Sequence, residues 1–403
     1  MQDKSIKREH YLEQIMPFYD SDLIKIITGI RRCGKSIILN QIAKQLESEG
    51  KEVLLLNFED KKVLGNISSC EDLLRVIDEK FGKVGAEKVY LFFDEIQNVD
   101  GWQDACKTLR LYNYSIFITG SNSKLLSGEF TKELSGRYVS FRVRPFVYKE
   151  IVKYCEMIGR ECSISDYLVY GGFPKRFEFE SIDSQLIYLN DINDTIVIND
   201  LIKRYNIRKV GLFENFVNYV LKSNARILSV KSITDYINAN YDKCSVNTIM
   251  KYLKYLEEAY IIDFVKQYSA KVKKELDFYV KIYNEDVSFN SIRCFDGRFD
   301  ITHNLENIVY NELLYMGYKL NVYNNAGREI DFVAVKNNKK YFIQVAYSVV
   351  EEKTYNREMS AFANIDNLCK KIIITNDDID FSTSAVKHIK LKDFLMMESL
   401  EEC

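Results

Sequence analysis

A chain of 403 residues, 47% hydrophobic and 28% charged, is long enough for about two to four cores and excludes a disordered or fibrous protein. Its net charge of −2 excludes an overall basic nucleic-acid binder, so any such contact must come from a local basic face. Nine cysteines, an odd number without CxxC spacing, exclude a disulfide framework and a zinc site and fit reduced thiols. The opening "MQDKSIKREHYLEQ" lacks an apolar leader, and no run reaches the ~18–20 apolar residues of a membrane span. The expectation is a cytoplasmic protein with no membrane partner.

The first chemistry lies near the start. "LIKIIT" (23–28) is short, β-branched and apolar on both faces, as a buried parallel strand requires. After Ser36, apolar Ile37, Ile38, Ile42 and Leu46 recur at helical spacing until Gly50. Between strand and helix stands "GIRRCGKS", a Gly-x-x-x-x-Gly-Lys-Ser loop. Glycines let backbone N–H groups curl round a phosphate at a helix N-terminus, where the dipole favours anions. Gly29, Ile30, Arg31, Arg32, Cys33, Gly34, Lys35, Ser36 and Ile37 are therefore the expected ATP-binding residues. Lys35 would reach the β- and γ-phosphates, and the Ser36 hydroxyl would ligate Mg²⁺.

Next, "VYLFFDEIQNVDGW" holds a buried strand run, 89–93, that ends in Asp94-Glu95. A carboxylate at the carboxyl end of a central strand lies beside such a loop. Asp94 would hold Mg²⁺ and Glu95 would polarise the attacking water. "SIFITGSNSKLL" reads as a further buried strand with a polar tip. There Thr119, Ser121 or Asn122 touch the γ-phosphate or the water, or serve only as turn and cap residues. In "ELSGRYVSFRVRPF", Arg137 is read as an arginine finger on a neighbouring subunit's γ-phosphate, or as a surface arginine in an ion pair.

With these blocks in hand, the chain resembles a known family. "ITGIRRCGKS", "FFDEIQNVDGW", "FITGSNSKLLSGE", "LSGRYVSFRVRPF", "YLVYGGFP" and "NDLIKRYNIR" resemble, in order, the bacterial and archaeal AAA-type ATPases with a C-terminal domain called DUF4143. The resemblance covers nearly the whole chain. It implies an ASCE-type sheet with the acidic strand between the P-loop strand and its neighbour. It also implies a helical lid after the core, in which Gly171-Gly172 make a tight turn. Arg204 and Arg208 would be lid-side phosphate contacts or a solvated basic face.

From residue 211 the pattern changes. Two helices, a turn and a third helix capped by Ser245 precede two strand-like runs, "YIIDFVKQYS" and "DFYVKIYN". Ile249, Tyr252, Leu253 and Leu256 form the apolar face of the third helix. That is the outline of a winged helix. Asn247, Thr248, Lys251 and Lys254 would line the exposed side, and Lys271, Lys273 and Lys274 the wing tip, all suited to DNA phosphates. Docking of a protein partner uses the same module.

The last stretch resembles a PD-(D/E)XK nuclease core. Glu306 and Glu312 lie on a helix, Asp331 on the first strand of an alternating hairpin, and Gln344 on the second. Where an active member carries lysine, Ala346 stands, so nuclease activity is doubtful and binding the larger expectation. The fold class is thus α/β multidomain: a P-loop ASCE/AAA+ parallel-sheet core (1–145), a helical lid (146–210), a winged helix (211–285) and a PD-(D/E)XK nuclease-like α/β domain (286–403). The expected function is an ATP-hydrolysing AAA+ switch or motor that binds or remodels DNA, using ATP and Mg²⁺. It would form a homo-oligomer with sites near subunit interfaces. The alternative is an ATP-dependent regulatory switch, in defence or signalling, whose appended domains bind polypeptide.

Overall fold

In the computed structural model, residues 5–82, 87–121, 134, 136–268, 280–294, 299–325, 328–363, 365–366 and 369–402 are described. The chain divides into two compact units, residues 1–145 with 258–260, and residues 146–257 with 261–403.

The first unit is built on a five-stranded parallel sheet of β1 (Ile24–Thr28), β2 (Val53–Asn57), β3 (Tyr90–Asp94), β4 (Ser115–Gly120) and β5 (Tyr138–Arg142). The spatial order is β2-β3-β4-β1-β5. The three inner strands are buried at every position, whereas edge strands β2 and β5 are only partly covered. This is why the sequences of β1, β3 and β4 read as continuous apolar runs: helices cover a parallel sheet on both faces. One expectation is corrected. The acidic strand β3 does not adjoin the P-loop strand; β4 lies between them, pairing with both. Loops at the carboxyl ends of β1, β3 and β4 consequently share one crevice, where ligands of open α/β sheets bind.

The second unit opens with short helices, Tyr148–Ile158, Ile164–Tyr170 and Ile182–Asn193. The Gly-Gly turn between them is fixed by its neighbours: a Cβ on Gly171 would lie 1.7 Å from Asp286 Oδ1. Asp286 Oδ2 also accepts the Gly172 N–H at 2.7 Å. Helices Val210–Lys222, Val230–Asn240 and Val246–Glu258 follow, with a three-stranded antiparallel sheet of β6 (Arg226–Leu228), β7 (Ile262–Lys266) and β8 (Val280–Asn284) in the order β6-β8-β7. Ser245 caps the third helix by accepting the Thr248 N–H at 3.2 Å.

The C-terminal part is a mixed sheet in the order β13-β12-β11-β10-β9. Its strands are β9 (Lys319–Asn325), β10 (Arg328–Lys336), β11 (Lys339–Ala346), β12 (Lys370–Thr375) and β13 (Lys387–Lys390). β10 and β11 form the expected hairpin, closed at Lys336↔Lys339. Both turn residues, Asn337 and Asn338, have positive φ, the requirement of a tight I′-type turn. The strands are not half-exposed, however. Ile330, Phe332, Val333 and Ala334 are all fully buried. Tyr310 of the helix Ile301–Tyr315 meets Phe332 on one face, and Tyr355 and Met359 of the helix Glu352–Ser360 pack with the Ile330–Val333–Phe342 core on the other.

Candidate nucleotide site and a buried acid cluster

The loop after β1 turns on glycine. Gly29 has φ +141°, and a Cβ there would lie 2.1 Å from the Val143 carbonyl, so no other residue fits. Gly34, also left-handed at φ +103°, stands before the helix Lys35–Ser48 and aims that helix's free N–H groups into the loop. Ile30 and Cys33 are buried and pack the back of the loop; Arg32 is exposed, and Arg31 reaches Glu59 at 3.4 Å. Ile37 is half-buried in the first helical turn.

Lys35 is buried, and its Nζ donates to the carbonyls of Gly29 and Ile30 at 3.1 and 3.0 Å. The ammonium is thus held across the loop. Ser36 Oγ donates to Asp94 Oδ1 at 3.0 Å, and Thr119 Oγ1 donates to the same oxygen. These oxygen-only donors fit a hard cation such as Mg²⁺, which takes one or two protein ligands and fills the rest with water and phosphate. Glu95 stands in the left-handed conformation at φ +53°, and its N–H donates to Thr119 Oγ1 at 2.9 Å. That turn is a strained choice for a non-glycine residue. Gln97 and Ser121 donate to Glu95 Oε2, the latter at 3.5 Å. Thr119 therefore links the two acids, and Ser121 reaches only the second. Arg137 is exposed beside β5, and Asn122 lies outside the described residues.

In the second unit the acids gather around a lysine that the sequence reading passed over. Lys281 of β8, 4% exposed in its side chain, places Nζ 2.6 Å from Glu306 Oε1, 2.9 Å from Glu329 Oε1 and 3.0 Å from Asp331 Oδ1. Asp331 Oδ2 accepts the Val345 N–H at 2.9 Å, and Tyr283 donates its hydroxyl to Glu306. Burial alone would lower the Lys281 pKa; Asp331, Glu306 and Glu329 outweigh it and raise it. One ammonium cannot balance three carboxylates. Burial, with Asp331 beside it, accordingly pushes Glu306 up to about 8 despite Lys281.

Glu312 does not join Asp331, which corrects its expected place. Six helical residues turn about 600°, leaving Glu312 about 120° away from the Glu306 face. It accepts instead the Tyr148 N–H at 2.8 Å. Gln344 points to Glu358, which it reaches at 2.7 Å, while its own oxygen takes the Asp331 N–H at 3.4 Å. Among the described residues no group of three or more His, Cys, Asp or Glu is spaced to hold a metal ion. Lys251 is exposed on its helix, whereas Lys271, Lys273 and Lys274 lie outside the described residues. Lys281 was missed because "DFYVKIYN" reads as a strand with one polar side; only Glu329, two residues before Asp331 and hence on its face, had a local signal.

The parallel sheet, its loop and the Ser36–Asp94–Thr119 arrangement define a P-loop ATPase of AAA type. A model of an AAA domain (AAA_14) matches residues 21–152, and models of two domains of unknown function match residues 162–292 (DUF8612) and 302–394 (DUF4143). An uncharacterized protein of Haemophilus influenzae is 33% identical over 383 residues, covering 93% of this chain and 94% of that one. Uncharacterized protein MJ1544 of Methanocaldococcus jannaschii is 31% identical over 384 residues, 88% and 82% of the two chains. A Walker-type ATPase of Pyrococcus abyssi superposes with a TM-score of 0.47 at 17% identity, over 72% of this chain and 95% of that one. The chain belongs to the family of AAA-type P-loop ATPases that carry a C-terminal DUF4143 domain.

Proposed function

We propose that the protein hydrolyses ATP and uses the cycle to bind or remodel DNA. The observation that carries the first half is the Ser36–Asp94–Thr119–Glu95 constellation beside the phosphate loop. Lys35 and the loop N–H groups hold the polyphosphate, and Ser36 and Asp94 hold Mg²⁺, which neutralises developing charge when bound. Glu95, oriented through Thr119, positions the attacking water. Arg137, exposed beside β5, acts on the site of a neighbouring copy.

The DNA half is supported by the three helices and antiparallel strands of residues 210–284, read as a winged helix, with Lys251 and Lys254 exposed on the third helix. The nuclease-like part contributes no cleavage in this reading, because Lys281 stands where the carboxylates would need a divalent ion. One observation favours a protein partner instead: Val246 and Met250, one helical turn apart on that same third helix, are 45% and 48% exposed. The ATPase rate, measured with and without linear, single-stranded and branched DNA at two salt concentrations, separates the two. Stimulation that falls steeply with salt supports DNA. A rate indifferent to every DNA form removes DNA as the partner.

A further inference from the structure

The chemistry above uses the inner, N–H side of the phosphate loop. On its outer side lies a buried cation that this chemistry does not employ. Arg8, immediately before the helix Glu9–Ile15, is 2% exposed. Its Nη1 donates to the Cys33 carbonyl at 2.9 Å and its Nη2 to the Arg144 carbonyl at 2.9 Å. The guanidinium lies 4.6 Å over the Tyr11 ring, and the Tyr11 hydroxyl accepts the Arg144 N–H at 3.1 Å. Gln41, from the helix that the loop opens, donates to the Ile6 carbonyl at 2.7 Å and holds the same segment in place. Arg8 Nη1 stands so close behind the loop that a Cβ on Gly34 would be 3.5 Å from it.

A trans peptide unit is planar, and its C=O and N–H point in opposite directions. The Cys33 carbonyl is held outward by Arg8, so the N–H at the other end of that unit, belonging to Gly34, is turned inward. Gly34 is left-handed and lacks a Cβ, so this peptide has little intrinsic resistance to rotation. A hydrogen bond from a buried guanidinium is stronger than a neutral one and supplies the missing resistance. Its charge also lies within a few ångströms of the loop interior, in a poorly solvated place where it favours an anion.

We propose that Arg8 is a positioning residue of the nucleotide site, pinning the Cys33–Gly34 peptide so that the Gly34 N–H faces the polyphosphate. The proposal rests on the reading of residues 29–36 as a polyphosphate cradle. Loss of the guanidinium frees that peptide and weakens every ligand that carries a β-phosphate. It leaves the hydrolytic residues Asp94 and Glu95 untouched, so affinity and turnover should respond differently.

The test is equilibrium binding of ADP and of a non-hydrolysable ATP analogue to wild type, Arg8→Met, Arg8→Lys and Lys35→Ala, with thermal midpoints and ATPase rates for each. Arg8→Met should bind both ligands roughly 10-fold or more weakly, the scale of one charged hydrogen bond. Its kcat at saturating ATP should stay within about threefold of wild type, because only uniform binding is lost. Arg8→Lys, one ammonium in place of two donors, should fall between; it decides the matter if Arg8→Met does not fold. A folded Arg8→Met or Arg8→Lys protein with wild-type affinity, while Lys35→Ala still abolishes binding, overturns the role of Arg8 alone. Wild-type protein that binds neither ligand overturns the cradle and the proposal together.

Discussion

In the proposed function Lys35 and Glu95 divide the work of the site, and the division is measurable. Lys35 already spans the loop on the Gly29 and Ile30 carbonyls, so its removal strips a buried side-chain cation from the cradle. Lys35→Ala should therefore abolish binding of a fluorescent ATP analogue. Glu95→Gln keeps the Ser36–Asp94 pair intact, so it should bind ATP normally and slow turnover by about 10²–10⁴-fold. Turnover unchanged in Glu95→Gln would take Glu95 out of the mechanism. A different residue sets a pH response of the fold. Burial pushes Glu312 up to about 8, against the Tyr148 N–H, which lowers it. A carboxyl raised above its unfolded value of 4.5 keeps in the folded state a proton that the unfolded chain has released. Stability is then full below the unfolded pKa and declines as pH rises through the folded one, here between about 4.5 and 8. Glu306 acts with the same sign. Glu312→Gln should match wild type in urea at pH 4 and exceed it at pH 8.5 by roughly 1–3 kcal/mol. A gain equal at both pH values would assign it to packing.

At the scale of elements, strand β8 is the joint of the second unit. It brings Lys281 to the acids of β10 and of the helix Ile301–Tyr315, and it stacks Tyr283 on Tyr310 at 4.3 Å. Asn284 and Asn307 exchange two hydrogen bonds of 2.9 Å beside that stack. Removing one partner of a buried ion cluster costs about 3–5 kcal/mol, more than most single substitutions. Lys281→Met should lower the denaturation midpoint accordingly, and Lys281→Met/Asp331→Asn should recover part of the loss. No recovery would mean that methionine itself is badly packed. Wild-type protein incubated with linear, nicked and branched DNA in Mg²⁺ or Mn²⁺ should leave all three intact. Cleavage lost on Asp331→Ala would overturn the closed-cluster reading. The hairpin and the helix were legible as elements, but the helix, read from the sequence as amphipathic, is buried on every side from Asn304 to Leu313. The pairing of Lys281 with acids 25 to 50 residues away was not legible, because local periodicity carries no partner information.

Over the whole molecule, two family models divide residues 162–292 from 302–394, yet both regions, apart from residues 258–260, lie in one compact unit. A shared buried seam should make them one cooperative block. In hydrogen exchange on the full chain, Asn307→Ala should raise exchange in β8 and in the helix Ile301–Tyr315 together, and leave β1, β3 and β4 unchanged. Faster exchange in the helix alone would separate the two. Among the described residues no helix is long and apolar enough to cross a membrane.

By itself the sequence determined whatever depends on neighbours along the chain. The strand–loop–helix around Gly29–Ser36, the Asp94-Glu95 strand end and the cap at Ser245 are local patterns, each with a local physical cause. It also carried the hydrophobic runs of β1, β3 and β4, since burial on two faces demands them. Only the tertiary structure decided the strand order that sets β4 between β1 and β3, because any parallel order satisfies the same runs. It alone turned Glu306 rather than Glu312 toward Asp331, supplied Lys281 as their counter-ion, and brought Arg8 behind Cys33. Those choices rest on which buried charge finds which partner, and burial without a partner costs too much to leave to chance.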